Sequence, residues 1–471
     1  QEIDEQYTNE IKADIDVSLD SAYAEDDIIA NETNELNDVY KAFEYKDIAP
    51  NKEAKELRLI DAISEGLRQS METHKDLVIM GQDIAEYGGV FKITEGFVEQ
   101  FGKDRVRNTP ICESAIVEAA MGLSIAGIKA VVEMQFADFA TSGFNPIVNY
   151  LAKSYYRWQQ DADVVIRMPC GAGIAAGPFH SQTNEAWFTK TPGLKVIYPA
   201  FPYDAKGLLA TAINDPNPVL FFEHKALYRT IRQDVPTDYY TLPFGKAAFL
   251  KEGNAVTVIT YGAGVHWALE TLAKNPLISA DLIDLRTLQP LDVETIYRSV
   301  QKTGKAIILQ EDSLFGGVAS DISALITENC FHYLDAPVKR VGSLETPIPF
   351  QGELEKQYLA KNSFENELTT LRKAFPDRSI ADLEQQAADL VRNTMPTYDM
   401  VPAAYKLLRY SPVGNYFSFH AERFRNTYHT YKQAVKEISS DNKVLNTRGW
   451  QRLGAKTAVG GFGGLGVSYG S

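Results

Sequence analysis

Histidine is the side chain best suited to proton transfer near neutral pH, and one of the seven histidines lies in a setting typical of a catalytic loop. His180 ends the stretch GAGIAAGPFH (171–180), whose glycines permit tight turns and close approach of the backbone to a ligand. The stretch follows the apolar run DVVIRM (163–168), so we expect the loop at the carboxyl end of a strand, where open α/β sheets bind ligands. A plain turn in which His180 caps the next helix is the simpler interpretation of these residues taken alone. The spacing does not fit a dinucleotide-binding G-x-G-x-x-G motif.

The carboxyl group of Glu113 is the second candidate. Glu113 precedes the apolar helical stretch 115–126, and an acid in the first turn of a helix ordinarily interacts only with the helix dipole. Ala119, Ala120 and Gly122 would, however, let this helix pack closely and bury its first turn. A buried carboxyl group there could share a proton with a ligand.

Two further turns carry polar or aromatic residues. Asp138 and Phe139 follow the run KAVVEMQF (129–136), which puts an aromatic ring at the carboxyl end of a strand, where a place in the core is the default interpretation. The stretch AINDPN (212–217) predicts a turn between a helix and a strand, whose oxygen atoms could also bind a cation. No other histidine is assigned a role.

Short β-branched runs alternate with longer segments of helical period from about residue 57 onward. Near-continuous apolar strands separated by helices are typical of a parallel sheet covered on both faces. A connection containing Pro and Tyr separates two series of runs, so we expect two α/β domains with a boundary near residue 245. The predicted strands are 76–80, 129–136, 163–168, 195–199 and 218–223 in the first domain, and 255–261, 280–285, 305–310 and 338–341 in the second.

The two ends of the chain differ from this middle part. Of the net charge of −15, residues 1–56 carry −12, from 17 acidic residues and 5 lysines, whereas residues 374–471 carry +4. We interpret 1–56 as an acidic, solvated linker with a short helical part. The unassigned extension 374–471 is expected to be helical over 380–392 and 421–438 and to end in a glycine-rich tail.

Composition excludes several classes of protein. The excess of acidic residues argues against a surface for nucleic acid or anionic membranes. No run reaches the roughly 18 apolar residues that a membrane helix needs. The three cysteines are scattered, which is typical of neither a disulfide framework nor a metal cluster and favours a reducing compartment.

Residues 57–373 resemble, in the family's order, the beta subunit of the thiamine-diphosphate-dependent 2-oxo acid dehydrogenases, the decarboxylating components of branched-chain 2-oxo acid or pyruvate dehydrogenase complexes. The resemblance implies an α/β fold with a transketolase-like pyrimidine-binding domain (57–245) and a transketolase C-terminal-like domain (246–373). The matching stretches are GQDIAEYGGVFKITEGF (81–97), RVRNTPICESAIVEAAMGLSIAG (105–127), EMQFADF (133–139), GPFHSQTNEAWF (177–188), PGLKVIYP (192–199), DAKGLL (204–209), DPNPVLFFEHKALYR (215–229), DLRTLQPLD (284–292) and LDAPVKRVGSLETPIPF (334–350).

The same resemblance implies residue roles. Glu113 is the acid of the family's T-P-I-x-E motif, which hydrogen-bonds N1′ of the cofactor's aminopyrimidine and thereby lets the 4′-nitrogen remove the C2 proton. Phe139 matches the aromatic residue that stacks on the pyrimidine, and Ile111 and Gln135 are expected to contact the cofactor as well. His180 matches the histidine that positions the intermediate or donates a proton during acyl transfer to lipoyl groups. A structural monovalent cation, such as K⁺, is expected at Val164, Ala212, Asp215 and Asn217.

A G-D-G motif followed by Asn, which holds Mg²⁺ and the diphosphate in this family, is missing from the sequence. The resemblance therefore implies that an alpha subunit, or an alpha region fused upstream, completes the site in a heterotetramer in which two beta halves also associate. Residues 1–56 resemble the end of such an alpha region. The further partner would be the lipoyl domain and core of a dihydrolipoyl acyltransferase. EMQFADF (133–139) and FFEHKALYR (221–229) favour a branched-chain substrate, with pyruvate next, and the bacterial cytoplasm is favoured over the mitochondrial matrix.

Two alternative functions would require other features of the sequence. A transketolase or deoxyxylulose-phosphate synthase would carry the diphosphate motif in its own chain. A non-catalytic fusion protein would use residues 374–471, which match no part of the family, as its functional part. The sequence upstream of Gln1 would discriminate, since a G-D-G motif there favours the enzyme. Asn145-Pro146 also departs from the family, which usually has Asp-Gln, so the start of the local helix is not predicted.

Overall fold

A computed structural model describes residues 2–22, 32–358, 432–434, 436–439 and 446–447. Its strands are β1 Ala54–Arg58, β2 Val78–Gly81, β3 Val106–Asn108, β4 Ala130–Glu133, β5 Val164–Cys170, β6 Lys195–Ile197, β7 Val219–His224, β8 Arg232–Pro236, β9 Ala248–Lys251, β10 Val256–Thr260, β11 Ala280–Asp284, β12 Thr287–Gln289, β13 Ala306–Ser313 and β14 Lys339–Ser343. Its α-helices are α1 Glu2–Ala22, α2 Glu32–Asn37, α3 Leu59–Thr73, α4 Phe97–Phe101, α5 Glu113–Ile125, α6 Ser154–Trp158, α7 Gly177–His180, α8 Ala186–Thr189, α9 Pro202–Asn214, α10 Ala263–Lys274, α11 Val293–Thr303, α12 Val318–Cys330 and α13 Gly352–Tyr358.

The first sheet has seven strands in the order β12-β6-β7-β5-β4-β2-β3. All neighbours pair in parallel except β12, which runs antiparallel to β6. The seven residues of β5 are all buried, which explains why its sequence is a continuous apolar run rather than an alternating one. Helices on both faces, among them α3, α5 and α9, bury the sheet. The predicted parallel sheet and its five strands are confirmed.

The second sheet has five strands in the order β14-β13-β10-β11-β9. Its four predicted strands are present and parallel, and β9 adds an antiparallel edge to β11. The apolar periodicity did not predict β1, β3, β8, β9 and β12, because these strands have only three to five residues and are mostly polar or half-buried.

The two sheets are joined through β12, which follows β11 of the second sheet along the chain but completes the first sheet. Just before β12, the Arg286 carbonyl oxygen accepts a hydrogen bond of 2.9 Å from the Tyr198 N–H, and the Arg286 guanidinium lies 2.8 Å from the Asp204 carboxylate on α9. One cluster of buried apolar side chains extends through both sheets. The domains therefore share a continuous core at their interface.

The segment 40–53 lies against the first domain, whereas its composition predicts a solvated linker. The Asn217 side chain bonds the N–H and the carbonyl oxygen of Lys41, at 2.8 and 3.0 Å. The Ile48 carbonyl oxygen accepts a hydrogen bond of 3.2 Å from the Thr241 N–H. The difference arises because the segment binds mainly through its backbone, which charge and composition do not reveal.

A π-helical turn at Pro146–Tyr150 and a 3₁₀ turn at Leu151–Lys153 precede α6, so the segment that departs from the family at Asn145-Pro146 forms an irregular helix. Of the predicted extension 374–471, most lies outside the described residues; 432–434 and 436–438, inside the predicted helix 421–438, are helical. Among the described residues, no helix has both the length and the apolar character that crossing a membrane requires.

A buried cluster of charges ties three strands of the first sheet together. The Arg167 guanidinium on β5 donates two hydrogen bonds, of 2.7 and 2.8 Å, to Glu223 on β7 and one of 2.6 Å to Glu133 on β4. The Tyr228 hydroxyl donates to the same Glu223 carboxylate at 2.6 Å. All three charged side chains are almost completely buried. Such a cluster is stable only while every member keeps its partners.

We expect Arg167→Met to lower the free energy of unfolding by about 3–5 kcal/mol, because two carboxylates would be left buried without a cation. The matched control is Arg232→Ala, which removes a solvent-exposed ion pair with Glu56 and should have little effect. Urea unfolding at pH 7 checks this prediction, and equal destabilisation by the two variants would contradict it.

Candidate functional site

Five neighbouring strands place the candidate residues at one edge of the first sheet. Because β3, β2, β4, β5 and β7 are parallel, the loops that follow them leave the sheet on the same side. The residues concerned, in the spatial order of the strands, are Glu113 after β3, Gln82 after β2, Gln135, Phe136, Asp138 and Phe139 after β4, His180 after β5 and Lys225 after β7.

Glu113 is the first residue of α5, and its side chain is only 8% exposed. Its Oε1 accepts a hydrogen bond of 2.9 Å from Nε2 of Gln82, which is also buried. Gly143 lies against the Glu113 carbonyl oxygen, where a Cβ atom would come within 3.4 Å. Glu113 is buried, as the sequence predicts, but the predicted reason is wrong in part: Ala119 and Gly122 are exposed, and only Ala120 of the three small residues is buried.

His180 lies in an aromatic and acidic environment at the same edge. Its ring stacks on Phe136 with centroids 4.2 Å apart and meets the edge of Phe139 at 5.4 Å. Its Nδ1 lies 3.0 Å from a carboxylate oxygen of Asp138, whose turn contains Phe139 as well. The carboxylate selects Nδ1 as the protonated nitrogen, which leaves Nε2 to accept or donate a proton. With 35% of its side chain exposed, His180 is accessible to a ligand.

Glycines give the His180 loop its shape. Gly171 and Gly177 adopt φ values of +88° and +75°, which other residues rarely adopt. A Cβ atom at Gly171 would lie 2.2 Å from the His224 ring, and one at Gly177 would lie 2.2 Å from the Phe350 ring. The glycines thus permit the loop to approach the end of β7 and a segment of the second domain.

Buried ionisable groups lie next to this loop. Lys225 is 5% exposed, its Nζ has no hydrogen-bond partner, and it lies 5.7 Å from the centroid of the Phe136 ring. Burial lowers the pKa of Lys225 to about 8, against the opposing effect of nearby acidic groups. At the domain interface, burial and then the charge of Asp312 raise the pKa of Glu185, whose Oε1 accepts a hydrogen bond of 2.7 Å from the Tyr261 hydroxyl.

The other two expected cofactor contacts lie near the site. Ile111 is 85% exposed two residues before Glu113, and Gln135 is half-buried at the end of β4. The arrangement therefore combines a buried carboxyl group, aromatic rings and a histidine, with an apolar side chain in solvent beside them. Its chemical capacity is to bind a flat heteroaromatic group and to exchange protons with it.

The four residues of the expected cation site lie away from this edge. Val164 begins β5, and Asp215 and Asn217 precede β7, which puts them at the amino ends of the strands. The Asp215 carboxylate is bound by the Lys195 ammonium and by Asn217, and Ala212 lies in the last turn of α9. Because these side chains already have partners, a cation here would have to bind to backbone carbonyl oxygens. Within the described ranges, no group of three or more His, Cys, Asp or Glu side chains is arranged to hold a metal ion.

Sequence reasoning missed four residues of this site, namely Gln82, Asp138, Phe136 and Lys225. Gln82 gave a usable signal, since it directly follows the apolar run that ends in Gly81. Asp138 was noticed only as the neighbour of Phe139, and its pairing with His180 joins loops 42 positions apart. The role of Phe136 as a stacking platform for His180 had no local signal either.

The chain is similar to known proteins over both of its domains. Residues 55–230 match the family described as "Transketolase, pyrimidine binding domain", and residues 245–363 match "Transketolase, C-terminal domain". The chain is 45% identical over 306 residues to the 2-oxoisovalerate dehydrogenase subunit beta of Bacillus subtilis, an alignment that covers 64% of this chain and 93% of the relative. The chain belongs to the family of 2-oxo acid dehydrogenase beta subunits.

Other members of the family show the same extent of similarity. The mitochondrial 2-oxoisovalerate dehydrogenase subunit beta of Dictyostelium discoideum is 43% identical over 63% of this chain and 82% of its own length. The pyruvate dehydrogenase E1 component subunit beta of Staphylococcus aureus is 41% identical over 63% and 92%. A solved structure, "Split gene transketolase, inactive beta4 tetramer", has a TM-score of 0.55 at 21% identity and covers 71% of this chain and 98% of its own, which supports the fold alone.

We expect one fast-reacting thiol in the native chain, that of Cys112, because it is exposed directly before Glu113. Cys170 and Cys330 are buried, and burial raises the pKa of both thiols, which disfavours the reactive thiolate. Titration with Ellman's reagent before and after denaturation checks the count. Cys112→Ser should remove the fast phase; its persistence in that variant would mean that another thiol is accessible.

Proposed function

We propose that this chain is the beta half of a thiamine-diphosphate-dependent 2-oxo acid dehydrogenase that decarboxylates a 2-oxo acid and transfers the acyl group to lipoyl groups. The observation that carries the proposal is the buried Glu113–Gln82 pair on the same sheet edge as the His180–Asp138 pair. Its functional unit is 57–373, with a pyrimidine-binding domain at 57–245 and a C-terminal domain at 246–373. We assign no function to 374–471.

The residues at this edge fit an aminopyrimidine. Glu113 can share a proton with a ring nitrogen, and the Gln82 amide holds the carboxyl group in one orientation. Phe139 and Ile111 supply apolar contacts for the faces and rim of a flat ring, and Gln135 adds a polar group. When bound, thiamine diphosphate supplies the centre that stabilises the carbanion left by decarboxylation.

The chain's own contribution is proton placement and exclusion of water. Glu113, held in a low-dielectric setting, keeps a proton at the cofactor's ring, where water would otherwise compete for it. His180, oriented by Asp138 through Nδ1, has Nε2 available for a proton that moves during acyl transfer. The stacking of His180 on Phe136 limits the rotation of its ring.

Several features support an incomplete site that an alpha region covers. Apolar side chains on the loops of the site are exposed, namely Ile111, Phe179 and Phe350, and such exposure at a site is typical of an interface. No magnesium motif is found in the sequence, so we propose that the alpha region holds Mg²⁺ and the diphosphate. Two alpha and two beta halves would then form the active enzyme, which delivers acyl groups to the lipoyl domain of a dihydrolipoyl acyltransferase core.

A structural K⁺ at the backbone carbonyl oxygens near Val164, Ala212, Asp215 and Asn217 belongs to the same proposal. We also propose a location in the bacterial cytoplasm, or in the mitochondrial matrix if the chain is eukaryotic. Relatives of both kinds are found, one in a bacterium and one, with a mitochondrial name, in a eukaryote.

We expect Glu113→Gln to lower decarboxylation by about 100-fold or more, since the amide cannot hold and release the proton. The assay uses the full chain with its alpha partner, thiamine diphosphate and Mg²⁺, and follows reduction of an artificial electron acceptor. Glu118→Gln, an exposed position on the same helix, is the matched control and should keep full activity. Unchanged turnover in the Glu113 variant would remove this residue from its role.

We expect 3-methyl-2-oxobutanoate to be decarboxylated with a higher kcat/KM than pyruvate, by roughly tenfold or more. The motifs at 133–139 and 221–229 and the similarity to the Bacillus subtilis relative support this preference. The two substrates are compared with the same reconstituted enzyme. A preference for pyruvate would contradict the proposed substrate and leave the proposed type of reaction unchanged.

A further inference from the structure

The loop that carries His180 is anchored by a carboxylate of the second domain. Glu355, on α13, is 3% exposed. Its Oε2 accepts a hydrogen bond of 3.1 Å from the Ala175 N–H, and its Oε1 accepts one of 3.2 Å from the Ser181 hydroxyl. Ser181 directly follows His180. One carboxylate thus holds both the entry of the short helix α7 and the residue next to the histidine.

The backbone is strained at Ala175, one of the two residues that Glu355 anchors. Ala175 has a φ of +55°, in the left-handed region that a residue with a Cβ atom rarely adopts. The strain at Ala175 persists only if neighbouring contacts enforce it. The hydrogen bond from its N–H to Glu355 is such a contact, so the carboxylate has a role in setting the loop's conformation.

A second carboxylate of the same domain holds the start of the loop. Glu311 accepts a hydrogen bond of 2.6 Å from the Ala172 N–H through Oε1 and lies 2.5 Å from Nε2 of His224 through Oε2. Burial raises the pKa of Glu311, but the contacts with His224, Ala172 and Lys225 outweigh burial and hold its pKa below the usual value. Glu311 is therefore ionised. Two carboxylates of the second domain, those of Glu311 and Glu355, thus accept hydrogen bonds from the loop.

The unpaired ammonium group of Lys225 is the counter-charge in this region. It interacts with Glu311, Asp138 and Glu355, which oppose the effect of its burial. Lys225 thus helps to keep the pKa of Glu311 low from the first domain, although its Nζ makes no hydrogen bond to either anchor.

We propose that Glu355 is a positioning residue for His180, so that the last described helix of the second domain sets the place of the histidine in the active site. This inference rests on the proposed function for the role of His180. Glu355 acts only through the loop 171–182.

The first experiment measures hydrogen exchange of the full chain and needs no activity. Glu355→Ala should speed exchange in peptides covering 171–182 by roughly 10- to 100-fold, the usual effect of losing a hydrogen bond to a charged group. Glu355→Gln should have a smaller effect, because its amide can still accept from Ala175 and donate to Ser181. Glu353→Ala, at an exposed position on the same helix, is the control and should change nothing there.

Faster exchange confined to 171–182 supports the proposal. Unchanged exchange in that loop, or an equal increase in the distant helix α3, would overturn it, because Glu355 would then be without influence or of general structural importance only.

The second experiment uses the enzyme reconstituted with its alpha partner and measures acyl transfer to a lipoyl domain. Glu355→Ala should reduce the rate about tenfold or more in the wild-type background and by less than about twofold when His180 is already replaced by Ala, since residues that act as a unit are not additive. Equal losses in both backgrounds would overturn the proposal. If the wild-type enzyme shows no turnover at all, the proposed function fails, while the exchange experiment still decides whether Glu355 positions the loop.

Discussion

Parallel pairing of β3, β2, β4, β5 and β7 is the constraint on which the site depends. Parallel strands deliver their loops to one edge of the sheet, so residues as far apart in the chain as Gln82 and Lys225 lie at the same edge. The charge cluster of Arg167 with Glu133 and Glu223 lies on three adjacent strands of this set, β4, β5 and β7. A slip of one residue would turn Arg167 to the other face of the sheet and leave both carboxylates without a cation. We infer that the cluster fixes the register, and with it the relative heights of the loops.

Under the proposed function, this arrangement provides one half of a cofactor site. A carboxyl group, an amide, aromatic rings and a histidine suit a heteroaromatic ring and its protons. A diphosphate is commonly held through a metal ion, and among the described residues no group of three or more His, Cys, Asp or Glu side chains is arranged to bind one. The exposed apolar side chains beside Glu113 and His180 are costly to leave in water and useful in an interface. Under the proposed function, a partner region that closes the site would account both for the lack of a metal site among the described residues and for the exposed apolar side chains.

The sequence predicted the parts of the molecule that depend on local pattern. The continuous apolar run of β5 and the glycine-rich loop that carries His180 can be recognised in the sequence without knowledge of the fold. The small residues of α5 were a poorer guide, since Ala119 and Gly122 are exposed. The pairs Gln82–Glu113 and Asp138–His180 could not be predicted, because each joins separate loops whose meeting depends on strand order. The same reason applies to β12, which crosses from one sheet to the other, and to 40–53, which binds through its backbone. The assignment of Glu113 came from resemblance to a family, since a carboxylate in the first turn of a helix ordinarily interacts only with the dipole.

Charges that cross the domain interface bear on how the site opens. Arg286 with Asp204, and His224 with Glu311, are buried or nearly buried pairs whose members belong to different domains. Separating the domains would leave the Asp204 and Glu311 carboxylates without these partners in a poorly hydrated place, at a cost of several kcal/mol for each carboxylate. Rigid-body opening between the two domains is therefore an unfavourable route for substrate entry. Because the exposed groups lie on the loops around Ile111 and Phe179, we infer that the motion that admits a substrate is more favourable at those loops than between the domains.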